Sequence, residues 1–510
     1  MIIAIPLIFS IAALAGDGSG DIRVGYVYLD EEGNESINQP TFNEYDGIGV
    51  SLEKFRYVFT NGMRINTNLQ NINLENRNLS FEFSKPGLFG IETNSNQFRR
   101  VYDFEGNNYT KRNLTSANVW VNVLKYAKIY AKSSFNDLSG EMDDLFGSSY
   151  TTIPHHVDYA RSKNTCGTVI NYEGRSVRVE YGASDFDDKT SDNNDQSRIS
   201  ALVSAVAPVP RFEWLVLSGA YSYFETEYEY TEFKIKSTTA KGGALAELPY
   251  NLSLNYFVIF NRAGSDSDFV ETDNLAHAAY LSYKNPGRYG ATIGYQNDTR
   301  DDYEDAIKAN SYYLSAWFMP NRNFEFKGDY GYRSEDIDEG ARLVGEECRD
   351  NIKVSAKYKY PDKGWLKAGF ISRSRENDDL GSKVNYDNIY ADALVNIVKY
   401  ADLSIGYAYS VGKYENNEQT YEFDSHQLHG DIQTKEYKNL TAQFGVVYYR
   451  SQKDLDVESF TIRSKLVYNF VPDGRVEIAY NVYNFDDLDY LDRYFTENFV
   501  EINIIKTLNF

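Results

Sequence analysis

Side chains able to carry redox or nucleophilic chemistry are scarce in this chain of 510 residues, which holds 2 Cys and 5 His. A structural zinc site takes four such ligands at close spacing, and covalent haem attachment takes CxxCH; neither pattern occurs. His155 and His156 are adjacent, while His277, His426 and His429 are scattered. A G-x-S-x-G elbow, a P-loop and an H-E-x-x-H helix are also missing. The chain is therefore expected not to be an enzyme, and to carry no catalytic, metal-binding or cofactor-binding residue of its own.

Cys166 and Cys348 fall where polar loops are expected to enter strands, at one rim of the fold. In an exported protein a disulfide between them is chemically permissible. Two separate thiols, or pairing with a partner, stay open, since roughly ten strands of a barrel wall would separate them.

The balance of charge narrows the partners. With 52 Lys+Arg against 74 Asp+Glu the formal net charge is −22. A nucleic-acid binder needs a basic surface, so that class is set aside. The 44 Tyr and 30 Phe set aside an acidic disordered chain, which would be poor in aromatics.

Targeting and membrane signals point one way. Met1 to Ala15 is a short apolar run closing on Ala13-Leu14-Ala15, read as a signal peptide over 1–15 although it lacks a basic start. No later stretch offers 18 apolar residues, so helices cannot span a bilayer here. Strands can, because they need only alternate.

Alternation is what the chain shows. Phe324, Phe326, Tyr330 and Tyr332 fall on one face of a strand, with Asn323, Glu325, Lys327 and Asp329 on the other. The period recurs at Ile352 to Tyr360, Leu403 to Tyr409, Leu440 to Tyr448, Val476 to Val482, Tyr289 to Tyr295 and Leu252 to Phe260. Short turns, such as Glu75–Arg77, Tyr172–Arg175, Tyr360–Gly364 and Val471–Gly474, alternate with longer acidic loops such as Asp185–Asp195, Ser334–Asp350 and Asp486–Arg493.

Short turns at one rim and long loops at the other define the expected fold class: an all-β, large transmembrane antiparallel β-barrel with short periplasmic turns and long acidic extracellular loops. Counting strands around the turns gives about 24, within a range of 22 to 26. Residues 44–510 form the expected barrel, and 16–43 a periplasmic segment or an extra strand. A ring of that size is roughly 45–50 Å across, too wide for wall side chains to fill. Soluble sandwiches rarely reach this strand number, and no blade-length repeat marks a propeller.

If apolar faces meet outer-membrane lipid, the lumen receives Glu325, Lys327, Asp329, Lys353, Lys357, Lys359, Gln443, Arg463, Lys465, Arg475 and Glu477. Charges of both signs there can hold water and ions or pair with an inserted protein. No single one stands out as a selectivity site.

The last segment, Phe499 to Phe510, alternates and ends in Phe, and it resembles the C-terminal signature strand of bacterial outer-membrane proteins. The stretch Gln97-Phe98-Arg99-Arg100-Val101-Tyr102-Asp103-Phe104-Glu105-Gly106, with Pro210-Arg211-Phe212-Glu213-Trp214-Leu215 and Leu252-Ser253-Leu254-Asn255-Tyr256, resembles the MtrB/PioB family of outer-membrane barrels. This chain is shorter than the better-known members and lacks their N-terminal CxxC. The resemblance implies a porin-like sheath housing a periplasmic multihaem c-type cytochrome in its lumen, with an extracellular cytochrome as a further partner. Haem would then belong to the partner, and the barrel would serve electron transport across the outer membrane. The rival expectation is a general or substrate-selective porin for small solutes.

Overall fold

The computed structural model describes residues 16–34, 44–102, 108–145, 152–266, 271–302, 306–337, 347–377, 380–397, 400–417, 419–490 and 493–510. The segment read as a signal peptide, 1–15, lies outside the described residues.

Every long described segment is a strand. The first run comprises β1 (Gly16–Gly33), β2 (Gly47–Phe59), β3 (Arg64–Gln70), β4 (Asn78–Lys85), β5 (Phe89–Val101), β6 (Tyr109–Leu124) and β7 (Ala127–Leu145). Next come β8 (Thr152–Tyr172), β9 (Arg175–Asp188), β10 (Gln196–Val209), β11 (Phe212–Tyr228), β12 (Phe233–Leu248) and β13 (Leu252–Ser265). They are followed by β14 (Glu271–Asn285), β15 (Tyr289–Asp302), β16 (Ala306–Asn321), β17 (Phe324–Ile337), β18 (Glu347–Tyr360) and β19 (Gly364–Asn377). The last are β20 (Ser382–Asn396), β21 (Ala401–Glu415), β22 (Thr420–Thr434), β23 (Leu440–Lys453), β24 (Val457–Val471), β25 (Gly474–Asp487) and β26 (Tyr494–Asn509).

Each strand pairs antiparallel with its neighbours in sequence, and β1 also pairs with β26 from Ser19↔Asn509 to Gly33↔Phe495. The sheet is therefore a closed 26-strand barrel, which leaves no edge unpaired in hydrocarbon. Connections after even-numbered strands have two to five residues, whereas those after odd-numbered strands run from three to thirteen.

Two features differ from the sequence reading. Glu75–Arg77 lies at the rim of the longer connections, and the short rim has turns at 60–63 and 86–88 instead. The reason is local: β3 and β4 have only 7 and 8 residues, too few for a clear period. In addition, acidic residues such as Asp185, Asp187, Glu335 and Glu347 sit on strand ends, because the ladder continues into segments whose composition reads as loop.

The outer face is apolar and aromatic. Tyr312 lies between Tyr295 and Tyr332 across β15, β16 and β17, with ring centroids 5.4 and 6.3 Å away. Such rings present an apolar body and a polar tip, which suits lipid near the headgroups.

The closure seam is packed differently from the rest. Leu52, Phe55 and Tyr57 of β2 are buried against Ile22, Phe59, Ile65 and Leu69. Tyr57 and Phe55 lie over Gly18 and Gly20 of β1, where any side chain would collide with them. The Phe510 ring stands edge-on to Phe55 at 6.3 Å, and its backbone N–H donates to the Gly18 carbonyl at 2.9 Å. Lys506 interrupts the apolar face of β26 and resolves this by reaching Asp473 at 3.7 Å beyond the strand end.

Candidate functional site: the charged inner wall

Period-two alternation sends charge inward wherever the other face meets lipid. The register sets Glu325 opposite Lys357, and Asp329 opposite Lys353. Lys327 lies 3.3 Å from Asp329, which also accepts a hydrogen bond from the Ser315 hydroxyl at 2.6 Å. Lys359, the next-to-last residue of β18, lies opposite Trp365. Six strands further round the ring Gln443 faces Lys465, and Arg463 faces Gly445.

Three of these residues belong to a network that ties the first strands to the last. Glu477, 7% exposed, is met by Lys465 at 2.8 Å, Arg475 at 2.9 Å and Arg23 at 3.6 Å. Arg475 also reaches Asp21 at 3.2 Å, and Arg23 reaches Glu53 at 3.3 Å. The Thr507 hydroxyl donates to Asp21 at 2.6 Å. The inner wall is thus cross-linked over β24, β25, β26, β1 and β2. Sequence reasoning named Lys465, Arg475 and Glu477 but missed Asp21, Arg23 and Glu53, whose partnership depends on which strands meet at closure.

Toward the rim of longer connections, cations gather around carboxylates. Arg333 lies 2.8 Å from both Asp298 and Glu335. Glu347 takes Arg375 at 2.7 Å and Arg349 beside it.

At that rim Glu44 precedes β2, held where the Arg99 guanidinium donates to its carbonyl at 3.4 Å and covers the Tyr45 ring. Burial pushes its carboxyl up to about 6, helped by Glu31 and Glu501 and opposed by a hydrogen bond with Glu497 and by Arg463. Because the folded state holds this proton more tightly than the unfolded chain, the contribution of Glu44 to stability is fully present below the ordinary carboxylate range and is lost as pH rises through about 6. Glu44→Gln is expected to flatten the pH dependence of thermal unfolding between about pH 4.5 and 6.5. An unchanged profile would refute the assignment.

The two thiols are free and exposed. Cys166 lies within β8, opposite Ala131 and Tyr181, whereas Cys348 starts β18, with the Tyr332 hydroxyl 3.9 Å from its sulfur. Ten strands apart and at different heights, they do not meet as a disulfide. The expected shared rim fails because β8 extends well above Cys166.

A second charged region escaped the sequence reading: Lys128, Lys132, Lys163 and Arg178 converge on the inner wall of β7, β8 and β9. The signal was present in Lys128-Ile129-Tyr130-Ala131-Lys132, where lysine alternates with apolar residues. Among the described residues no group of three or more His, Cys, Asp or Glu is placed to hold a metal ion.

A sealed sheet with an apolar exterior and a charged interior defines a β-barrel of the bacterial outer membrane. No protein-family model matches the chain, and no curated protein matches it in sequence. Solved structures do match in fold. The ferric enterobactin receptor PfeA aligns with a TM-score of 0.56 at 8% identity, over 97% of this chain and 82% of that one. The siderophore receptor PirA from Acinetobacter baumannii gives 0.54 at 7% identity, over 97% and 81%. PirA from Pseudomonas aeruginosa gives 0.52 at 12% identity, over 82% and 80%. At these identities the likeness establishes the fold. The matched barrels are receptors by name, and this chain is a barrel of the same architecture.

These findings correct the conduit expectation. The barrels that match are siderophore receptors, and no family model supports membership of the MtrB/PioB family. The electron-transport role, the multihaem cytochrome in the lumen, the extracellular cytochrome and the haem they would carry lose their basis together. The segments behind that resemblance explain the error. Pro210 to Leu215 spans the two-residue turn between β10 and β11, and Leu252 to Tyr256 opens β13. Any lipid-facing hairpin of a barrel must alternate in this way, so such stretches mark the architecture rather than a family. Of Gln97 to Gly106, residues 103–106 lie outside the described residues.

Proposed function

We propose that the chain is a substrate-selective outer-membrane transport barrel for small solutes. The observation that carries this reading is the inner wall itself: a wide, charged surface enclosed by an apolar exterior, with ion pairs fixed on strands rather than on loops. Fixed charges along a wall sort solutes as they pass without reacting with them. Structures of this fold include receptors named for siderophores and for ferric enterobactin, so a ferric siderophore is the first solute class to try.

The test uses the full chain reconstituted into liposomes, with folding verified by heat-modifiable migration. Binding or uptake of a ferric catecholate chelate, or flux of solutes below about 1 kDa with exclusion of large dextrans, is expected for a lumen of this kind. A folded chain that neither binds nor passes any solute would overturn the reading.

A further inference from the structure

The chain as a whole is strongly acidic, yet one part of its inner wall is built from cations and hydrogen-bond donors. Two adjoining recesses, about 440 and 340 Å³ in volume, lie on β5 to β9 and share Asn118, Lys132 and Arg178. Lys163, Ser116 and Thr165 complete the first, and Lys128 the second.

The four cations face two carboxylates, and those carboxylates are engaged. Glu180 accepts from the Tyr130 hydroxyl at 2.5 Å and from Arg178, while Glu92 accepts from the Asn94 amide at 3.2 Å. Lys128, Lys132 and Lys163 have no carboxylate within ion-pair distance among the described residues. Instead aromatic rings hold two of the ammonium groups: Lys128 Nζ lies 4.8 Å from the Trp120 ring centroid, and Lys132 Nζ 5.2 Å from that of Tyr130. A ring face fixes the position of a cation without neutralising it. Two of the three lysines are thus oriented and the charge of all three remains available, while Arg178 is shared with Glu180.

The fold adds a second wall of the same kind. Across the ring, Lys357 Nζ lies 4.7 Å from the Trp365 ring centroid and Lys367 Nζ 5.3 Å from that of Tyr390, on β18 and β19. Both regions lie in the half of the lumen nearer the short turns, because Lys128 and Lys367 follow their turns within a few residues. Acidic strand ends such as Asp187 and Glu335 lie toward the opposite rim. A screening length of about 8 Å at physiological salt keeps charges at that distance from cancelling these cations.

We infer that the recess formed by Lys128, Lys132, Lys163 and Arg178 is a binding site for small, multiply charged oxyanions, and that it makes the lumen select anions. Several ammonium and guanidinium donors can share the oxygens of one phosphate or polycarboxylate, while the Asn, Ser and Thr groups accommodate oxygens that carry no formal charge. The inference rests on the transport reading and names the solute class.

Two measurements separate its failure from the failure of that reading. Titration calorimetry of the full chain in mild detergent, with inorganic pyrophosphate as the probe, reads the site whether or not the lumen conducts. Wild type is expected to bind, and Lys128→Gln with Lys132→Gln and Lys163→Gln to lose at least tenfold in affinity. A control triple variant at Lys506 and at Lys234 and Lys236, which share the outer face of β12 with Ala240, the register partner of the exposed Tyr221, should bind as wild type does. Absence of binding by the folded wild type, or equal loss in the control, overturns the inference. In planar bilayers under a potassium chloride gradient, the reversal potential of wild type should have the sign of chloride preference and shift toward zero in the inner-wall variant. Cation preference in a conducting barrel would sink the inference and leave transport standing, whereas lack of conductance with intact pyrophosphate binding would do the reverse.

Discussion

Glu477→Ala is expected to destabilise the barrel by about 3–5 kcal/mol, the range for removing one partner of a buried ion cluster. Three cations converge on this carboxylate, and only one of them, Arg475, has another carboxylate within 3.2 Å, while Arg23 keeps Glu53 at 3.3 Å. Without Glu477 the positive charges of Lys465, Arg475 and Arg23 face one another across the strands that close the ring. The change should appear as a lower temperature for loss of the compact band in unboiled gels. Glu477→Gln keeps the shape and removes the charge, and should reproduce most of the loss. Lys465→Gln should cost less than about 1 kcal/mol, since its side chain is 44% exposed and two cations remain on Glu477. Equal stability of wild type and Glu477→Ala would mean that the network contributes nothing to closure.

Why the fold could be read before the structure, and the network could not, follows from the range of each signal. Alternation is a property of neighbours in sequence: Phe324, Glu325, Phe326 and Lys327 announce a two-faced strand without reference to anything else. The total of 26 strands, two above the expected 24, lies at the top of the expected range because the period is weak at the start of the chain. Gly16–Gly33 begins with glycines and carries acidic residues, and β3 and β4 are too short to show a period. Closure, by contrast, joins Asp21 to Thr507, which lie 486 positions apart, and nothing local marks such a pair.

Sequence parity sorts the wall by face but not by partner. Strand parity alone places Glu325, Lys353 and Arg475 on the polar side, but whether a lysine meets a carboxylate or an aromatic ring depends on the register of the next strand. Lys357 illustrates this: its register partner Glu325 is a carboxylate, yet its ammonium group lies over Trp365 on the other neighbour. The functional expectation failed for a related reason. Diffuse aromatic alternation is imposed by lipid on every barrel, so it cannot distinguish a cytochrome sheath from a solute transporter.

Gly18→Val is expected to destabilise the closed barrel by about 1–3 kcal/mol through overpacking. A Cβ at this position would come within 2.5 Å of Tyr57 Cδ2 and 3.0 Å of Phe510 Cδ2. Tyr57 cannot yield easily, since it is fully buried and its ring stands edge-on to Phe59 at a centroid distance of 4.9 Å. Gly328→Val supplies the control. That glycine lies in β17 between Phe326 and Tyr330, and nothing approaches within 4 Å of where its Cβ would stand. A β-branched residue in open space on a strand should be neutral or mildly stabilising, because glycine has more backbone freedom to lose on folding. The double variant Gly18→Val with Tyr57→Ala should recover part of the loss, since removing the ring makes room for the methyl groups, and the coupling isolates that contact. If Gly18→Val and Gly328→Val unfold alike, the aromatic cover over the first strand is not what seals the ring.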